Sequence, residues 1–455
     1  MLSDTPLPTG ASQGGVSPAN IPPPARVQNW LVMAALVALC AIPYYRGCEH
    51  RSEPLGEDEI YWIGQTYYYH LAVETRDWSN PDWQLLPARE NPALGKYIIG
   101  AGLQLDGLGV TNPDWLGVFF LVARDRTNGW GKGRDFAERQ AVVDRMSPTV
   151  RDQAVKAGYF DCPMQFVTTA RAVMAVFGMI SVLGVYLLAS FYTGRVAALL
   201  AALLFVLHPA VAEAYMETSV DILAVAFSLI VVIHFVLIER LAWRRCRRPG
   251  LCRALLCASG GVSLAFAVGS KLNAAVVGFL GVAMGLVWLA SFLRCKSAET
   301  WESCKAMLAL LAISLLVFVA LNPVNYPDPV KGVWASYADQ QRSLAVQNFV
   351  PTAAHGPQPL QTTGQRLGAL AKLTALHPAV FALVMAAFFW DLFKNFRRGK
   401  PLPVIALWWM IAVLAVGLWL PFSRPRYALP VIVPGVILIC IAAGGLAGRR
   451  RQNSG

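Results

Sequence analysis

Residues 219–238 read Ser219-Val-Asp221-Ile-Leu-Ala-Val-Ala-Phe-Ser-Leu-Ile-Val-Val-Ile-His234-Phe-Val-Leu-Ile238. An apolar run of about twenty residues is the length that crosses a bilayer as a helix. In lipid such a segment must satisfy its own backbone hydrogen bonds, which a helix does. Comparable runs lie at 30–45, 164–191, 196–210, 254–270, 274–293, 306–322, 376–393, 403–420 and 428–447. The run at 196–210 is short, and Val211–Tyr215 could extend it. The pattern predicts an all-α membrane protein of about ten spans. Composition agrees: of 455 residues, 56% are hydrophobic and only 15% charged, too few charges to face water on every side. No series of alternating ten-residue segments suggests a β-barrel.

The net charge of +12 is explained by basic clusters in short loops rather than by nucleic-acid binding, which is not expected. Arg240, Arg244, Arg245, Arg247, Arg248 and Arg253 form one cluster, Lys394, Arg397, Arg398 and Lys400 a second, and Arg449, Arg450 and Arg451 a third. With ten spans all three fall on one side, which the positive-inside rule makes cytoplasmic. The long segment 46–163, Glu213–Asp221, Ser270–Asn273, the loop 323–375 and Pro421–Tyr427 then face the other side. The expected organisation is a disordered cytoplasmic tail (1–29), a membrane domain (30–447) with large external loops at 46–163 and 323–375, and a basic cytoplasmic tail (448–455). The first span reads as an uncleaved signal anchor. No fixed repeat or pair of interrupted spans suggests an inverted-repeat transporter.

Seven of the nine cysteines lie in spans or basic loops and read as reduced or buried thiols without metal-ligand spacing. Cys48 and Cys162 bracket the first external loop and would close it if disulfide-bonded in an oxidising compartment.

Four groups of polar residues lie on the external side. Glu57-Asp58-Glu59, followed by Tyr61 and Trp62, offers paired carboxylates, of which one could act as a base or both could bind a cation. A solvated helix start, where acids complement the dipole, explains the same residues. Glu90-Asn91-Pro92-Ala93-Leu94-Gly95-Lys96 runs into an apolar segment to Leu103, predicting an interfacial helix. Lys96 would stand at phosphate depth, or simply snorkel. Glu213, Glu217 and Asp221 share one face if their segment is a single helix, after His208-Pro209. Arg424-Pro425-Arg426-Tyr427-Ala-Leu-Pro430 enters the last span, where arginine forks suit a phosphate and Arg and Tyr also serve as interfacial anchors. Lys271 and Arg171 are further cations at span ends.

In order and spacing these motifs resemble the GT-C superfamily of integral-membrane glycosyltransferases, in its protein O-mannosyltransferase and aminoarabinose-transferase-like branch. The resemblance rests on Asp58-Glu59, Pro92-Ala93-Leu94-Gly95-Lys96, Arg171, Gly194-Arg195-Val-Ala-Ala-Leu199, His208-Pro209 with Asp221, Asn322-Pro323 with Tyr326-Pro327-Asp328-Pro329, and Arg426-Tyr427-Ala-Leu-Pro430. It covers most of 30–447. Ala93 replaces a second proline, Asn91 stands where relatives often have His or Lys, residues 111–160 enlarge the first loop, and no large soluble C-terminal domain is expected.

The resemblance implies a GT-C bundle with interfacial helices in the first external loop. It implies a polyprenyl-phosphate-linked sugar as donor, membrane lipids around it, and a glycan, lipid or protein acceptor. Asp58 would be the general base of an inverting transfer, and Glu59 would orient the acceptor or a cation. Lys96, Lys271, Arg424, Arg426 and Tyr427 would bind the donor phosphate. Tyr61, Glu90, Asn91, Arg171, Glu213, Glu217 and Asp221 would shape the pocket. Glu90 and His208 could hold a divalent metal, and no other cofactor is implied. The site would face the periplasm or exterior of a plasma (inner) membrane. A transporter or lipid flippase is the alternative, but it calls for ionisable groups at mid-membrane depth, and these charges sit at span ends. A scaffold without activity would not need Asp58, Lys96 and Arg426.

Overall fold

A computed structural model describes residues 23–49, 57–118, 134–157, 162–349, 362–374, 404–419 and 425–453, with isolated positions 120, 360 and 389. Among them there are helices and turns but no strand. The elements used below are α1 (Pro23–Glu49), α2 (Glu57–Gly64), α3 (Ala93–Leu105), α4 (Met164–Ser190), α5 (Arg195–Leu207), α6 (Pro209–Met216), α7 (Asp221–Glu239), α8 (Pro249–Ser270), α9 (Ala275–Cys295), α10 (Ala298–Leu321), α11 (Pro329–Phe349), α12 (Val404–Trp419) and α13 (Leu429–Asn453).

Among the described residues six helices are long and apolar enough to cross a membrane: Asn29–Gly47, Met164–Ser190, Asp221–Glu239, Pro249–Ser270, Leu272–Cys295 and Ala298–Leu321. Val404–Leu418 and Arg426–Ile441 are shorter apolar helices. The chain is an integral membrane protein, all-α as expected. The expected span 376–393 and most of the tail 1–29 lie outside the described residues, although α1 already starts at Pro23. The run at 196–210 does not continue straight into Val211–Tyr215. The chain bends by 64° between α5 and α6, because Pro209 has no N–H to continue the ladder and biases His208 towards extended backbone. His208 adopts that conformation (φ −65°, ψ 128°), and its Nδ1 accepts from the Ala210 N–H to cap α6.

The core is the packing of α4 on α1, α5 and α7, of α7 on α8, and of α8 and α9 on α10. Water exclusion does not drive helix association inside lipid, so close backbone approach does, and small residues permit it. At Gly261 of α8 an added Cβ would lie 2.7 Å from Ile313 Cγ2 and 2.8 Å from the Leu310 carbonyl on α10.

Successive spans run antiparallel, so chemistry separates by end. The N-termini of α7 and α9 meet the C-termini of α8 and α10 at one end, where Asp221, Lys271 and Asn322 lie. At the other end Arg240 bonds the Phe191 carbonyl, and Arg244 and Arg253 pair with Glu299 and Glu302 at the start of α10. The segment 46–163 supplies short helices, α2 and α3 among them, that pack against α4 and α8 at the polar end.

Candidate active site

Helix α2 opens on Glu57, Asp58 and Glu59, where carboxylates favour the positive end of the dipole. Asp58 has a described backbone in α2; its side chain lies outside the description. Glu59 is 1% exposed. Its Oε1 accepts from Arg171 Nε at 2.7 Å and from the Thr218 N–H at 2.9 Å, and its Oε2 accepts from Arg171 Nη2 at 2.8 Å. Glu59 therefore does hold a cation, but that cation is Arg171 on α4, itself 4% exposed. Arg171, expected in a substrate pocket, holds the Glu59 carboxylate. Both partners of a buried charge must be satisfied, and the bidentate fork does that.

Thr218 follows Glu217, and Glu217 Oε2 lies 3.9 Å from Arg426 Nη1. Arg426 sits on the turn Pro425–Ala428, which packs on α6 and leads into α13. Its Cζ stands 5.7 Å from the centroid of the Tyr427 ring. Lys271 approaches the same ring, with Nζ at 5.3 Å. Lys271 occupies an extended break after α8 (φ −155°, ψ 132°), which lets its ammonium reach Asp221 Oδ1 at 2.6 Å. Asp221 Oδ2 accepts from Ser219 Oγ at 2.6 Å. A continuous chain thus runs from Glu59, through Thr218, Glu217, Arg426 and Tyr427, to Lys271 and Asp221. Arg424, expected here, lies outside the described residues.

Two expectations meet a different geometry. Glu213, Glu217 and Asp221 do not share a helix face: α6 stops at Met216, Glu217 is extended (φ −98°, ψ 157°), and Asp221 starts α7. The break is what aims Glu217 and Asp221 at different cations. Lys96 neither snorkels nor stands open at a helix surface. It is fully buried, and its Nζ donates to the carbonyls of Pro87 at 2.6 Å, Asn91 at 2.8 Å and Ala88 at 3.3 Å. These include orphan carbonyls at the end of the helix Leu86–Glu90, which attract a cation. Burial pushes the ammonium pKa down, against the pull of Glu90. Among the described residues no three or more His, Cys, Asp or Glu gather as a metal site. Glu90 Oε2 accepts from the Tyr61 hydroxyl at 2.5 Å, and His208 caps α6. Asn91 contributes its carbonyl to Lys96. Cys162 is buried, and the side chain of Cys48 lies outside the description, as does their expected pairing.

Motif residues find structural reasons. The α3 start lacks a side-chain cap of its own; Asn322 Oδ1 accepts from the Ala93 N–H at 2.8 Å, and the Tyr97 hydroxyl donates to the Leu321 carbonyl at 3.1 Å. Gly95 lies against Val220, next to Asp221, where an added Cβ would stand 2.5 Å from Val220 Cγ1.

Beside Tyr427 opens a cleft of about 840 Å³. Side chains of α8, α9, α10, α11 and α12 line it, among them Val268, Phe279, Leu315 and Trp334, with Tyr427, Pro430 and Asn273 at the charged end. The lining is almost wholly apolar, and sequence reading had no means of finding it, because its walls come from five distant helices.

No family model matches the chain, and no curated protein matches it. Solved structures do. The Archaeoglobus fulgidus oligosaccharyltransferase tethered with an acceptor peptide aligns at a TM-score of 0.51 with 13% identity, covering 93% of this chain and 50% of that one. ArnT from Cupriavidus metallidurans bound to undecaprenyl phosphate aligns at 0.49 with 15% identity, covering 91% and 60%. The oligosaccharyltransferase AglB from Archaeoglobus fulgidus, in complex with an inhibitory peptide and a dolichol-phosphate, aligns at 0.48 with 13% identity, covering 94% and 52%. The chain spans between half and three fifths of the length of these proteins. In its arrangement of helices, the chain shares the fold of the Archaeoglobus fulgidus oligosaccharyltransferase.

Proposed function

We propose that the protein transfers a sugar from a polyprenyl-phosphate carrier to an acceptor hydroxyl on the non-cytoplasmic side of a plasma (inner) membrane. The single observation that carries this reading is the apolar cleft ending at Tyr427, whose ring is shared by Lys271 and Arg426. An isoprenoid tail suits the cleft walls, which offer apolar contact over a volume in the range of ligand pockets (roughly 300–1,000 Å³). Its phosphate would then lie by two cations. Lys271 and Arg426 would stabilise the negative charge that grows on the leaving phosphate as the glycosidic bond breaks.

In this reading Asp58 takes the acceptor proton as the hydroxyl attacks the anomeric carbon, inverting its configuration. Glu59, locked on Arg171 and Thr218, sets the position of α2 and therefore of Asp58. Asp221 and Glu217 hold the two cations in place until phosphate competes for them. The sugar is a hexose or pentose, and a peptide, glycan or lipid hydroxyl is the acceptor; the oligosaccharyltransferase of like fold was tethered with an acceptor peptide.

The test is to incubate purified protein with radiolabelled polyprenyl-phosphate sugars and membrane acceptors. Label should move, and Asp58→Asn should abolish its movement while the protein still expresses and folds. Retained transfer by that variant would remove Asp58 from the mechanism. Transport of intact carrier without glycosyl transfer would favour a flippase.

A further inference from the structure

Trp408 on α12 is 1% exposed, and its indole Nε1 is buried with no hydrogen-bond partner among the described residues. Buried tryptophans usually satisfy that N–H, and leaving it unmade costs about 1–3 kcal/mol. Trp408 lines a second cavity, of about 30 Å³, whose polar members are Asp221, Ser228 and Asn273. Val225, Val277 and Val433 complete much of the wall. Asn273, Val276 and Pro430 border both this cavity and the large cleft.

Volume decides what fits. Pockets for organic ligands run to roughly 300 Å³ or more, so neither a sugar ring nor an isoprene unit enters. A water needs about 10–15 Å³ on this measure, together with two or more polar partners. Both conditions are met here, whereas a cavity of this size with only apolar walls would stay dry.

We propose that this cavity is a hydration site built into the bundle, in which one or two resident waters accept from Trp408 Nε1 and donate to the Asp221 carboxylate or Ser228 Oγ. Asp221 already receives Lys271 on one oxygen and Ser219 on the other, and each oxygen retains a further lone pair. The water ties α12 to α7, whose first residue is Asp221. Trp408 is thereby a positioning residue for the Asp221–Lys271 pair. It touches no substrate, and the inference stands whether or not Lys271 binds a phosphate.

The full chain in lipid nanodiscs, imaged finely enough to show ordered water, should place a water within hydrogen-bond distance of Trp408 Nε1 and of a second polar group in the cavity. A dry cavity overturns the proposal. Selective carbon labelling of lysine gives an independent readout, with the Lys271 signal identified by its loss in Lys271→Arg. That signal should move in Trp408→Phe, which keeps the aromatic shape and removes the N–H. It should move likewise in Ser228→Val, which fills the space with methyls and covers the event that Trp408→Phe does not fold. It should stay fixed in Trp301→Phe, at the arginine-bearing end. A Lys271 signal unmoved by both cavity variants also overturns the proposal.

Discussion

The two ends of this helical bundle hold ion pairs of different kinds. At the end bearing Asp221 the charges are enclosed: Glu59 and Arg171 are almost wholly buried, and Asp221 and Lys271 largely so. At the opposite end Arg244 is 43% and Glu299 64% exposed, although their contact, at 2.6 Å, is just as short. Distance alone therefore says little about what a pair does. In water an ion pair contributes about 0–1 kcal/mol, because each partner is nearly as well solvated alone. In a low-dielectric interior, losing one partner strands the other. The arginine-bearing end keeps its charges in contact with solvent, and the other end encloses them.

Breaking Glu59–Arg171 gives the largest expected effect. Arg171→Met should lower stability by about 3–5 kcal/mol, seen as a depressed melting temperature in detergent, since Glu59 then stays buried without its fork. The double variant Glu59→Gln, Arg171→Met should recover part of that loss. A single variant that melts like the wild type would erase the contrast between the two ends.

Gly95→Ala should cost about 1–3 kcal/mol, as expected where an added methyl overpacks a contact. The clash is with Val220, one residue from Asp221, so transfer should fall along with the melting temperature. Asn322→Ala removes the acceptor that caps α3 from a distance and should cost about 0.5–2 kcal/mol, measured in the same melts. Arg244→Ala, at the other end, should change stability by less than about 1 kcal/mol, and added salt should erase even that. A large effect there would mean that the exposed pairs carry structure too.

Much of the fold was legible in the sequence. A run such as 219–238 names itself as a span because its length matches the bilayer, and the basic clusters order the spans by side. In the structure Asp221 starts α7 and Arg240 follows its end. Asn322-Pro323 was recognisable as a motif, but its purpose was not, because the N–H it caps belongs to Ala93, more than two hundred residues away.

The site was legible only in part. Lys271 and Arg426 approach one ring, that of Tyr427, and Asp221, which helical spacing grouped with Glu213 and Glu217, pairs with Lys271. Lys96 was misread because its sequence neighbours suggest an interfacial helix; the carbonyl cage around it depends on how the helix Leu86–Glu90 turns back over α3. The acidic triplet at 213, 217 and 221 was misread because helical spacing assumes an unbroken helix, and the chain breaks after Met216.

By itself the sequence determined that the chain spans a membrane many times, which end of each helix is basic, and which residues have chemistry to offer, since these follow from local length, charge and residue type. Only the tertiary structure decided which acid meets which cation, that Lys96 is enclosed, and that five helices leave an apolar cleft leading to Tyr427. Pairing and enclosure depend on chain crossings and helix breaks, and no local pattern encodes those.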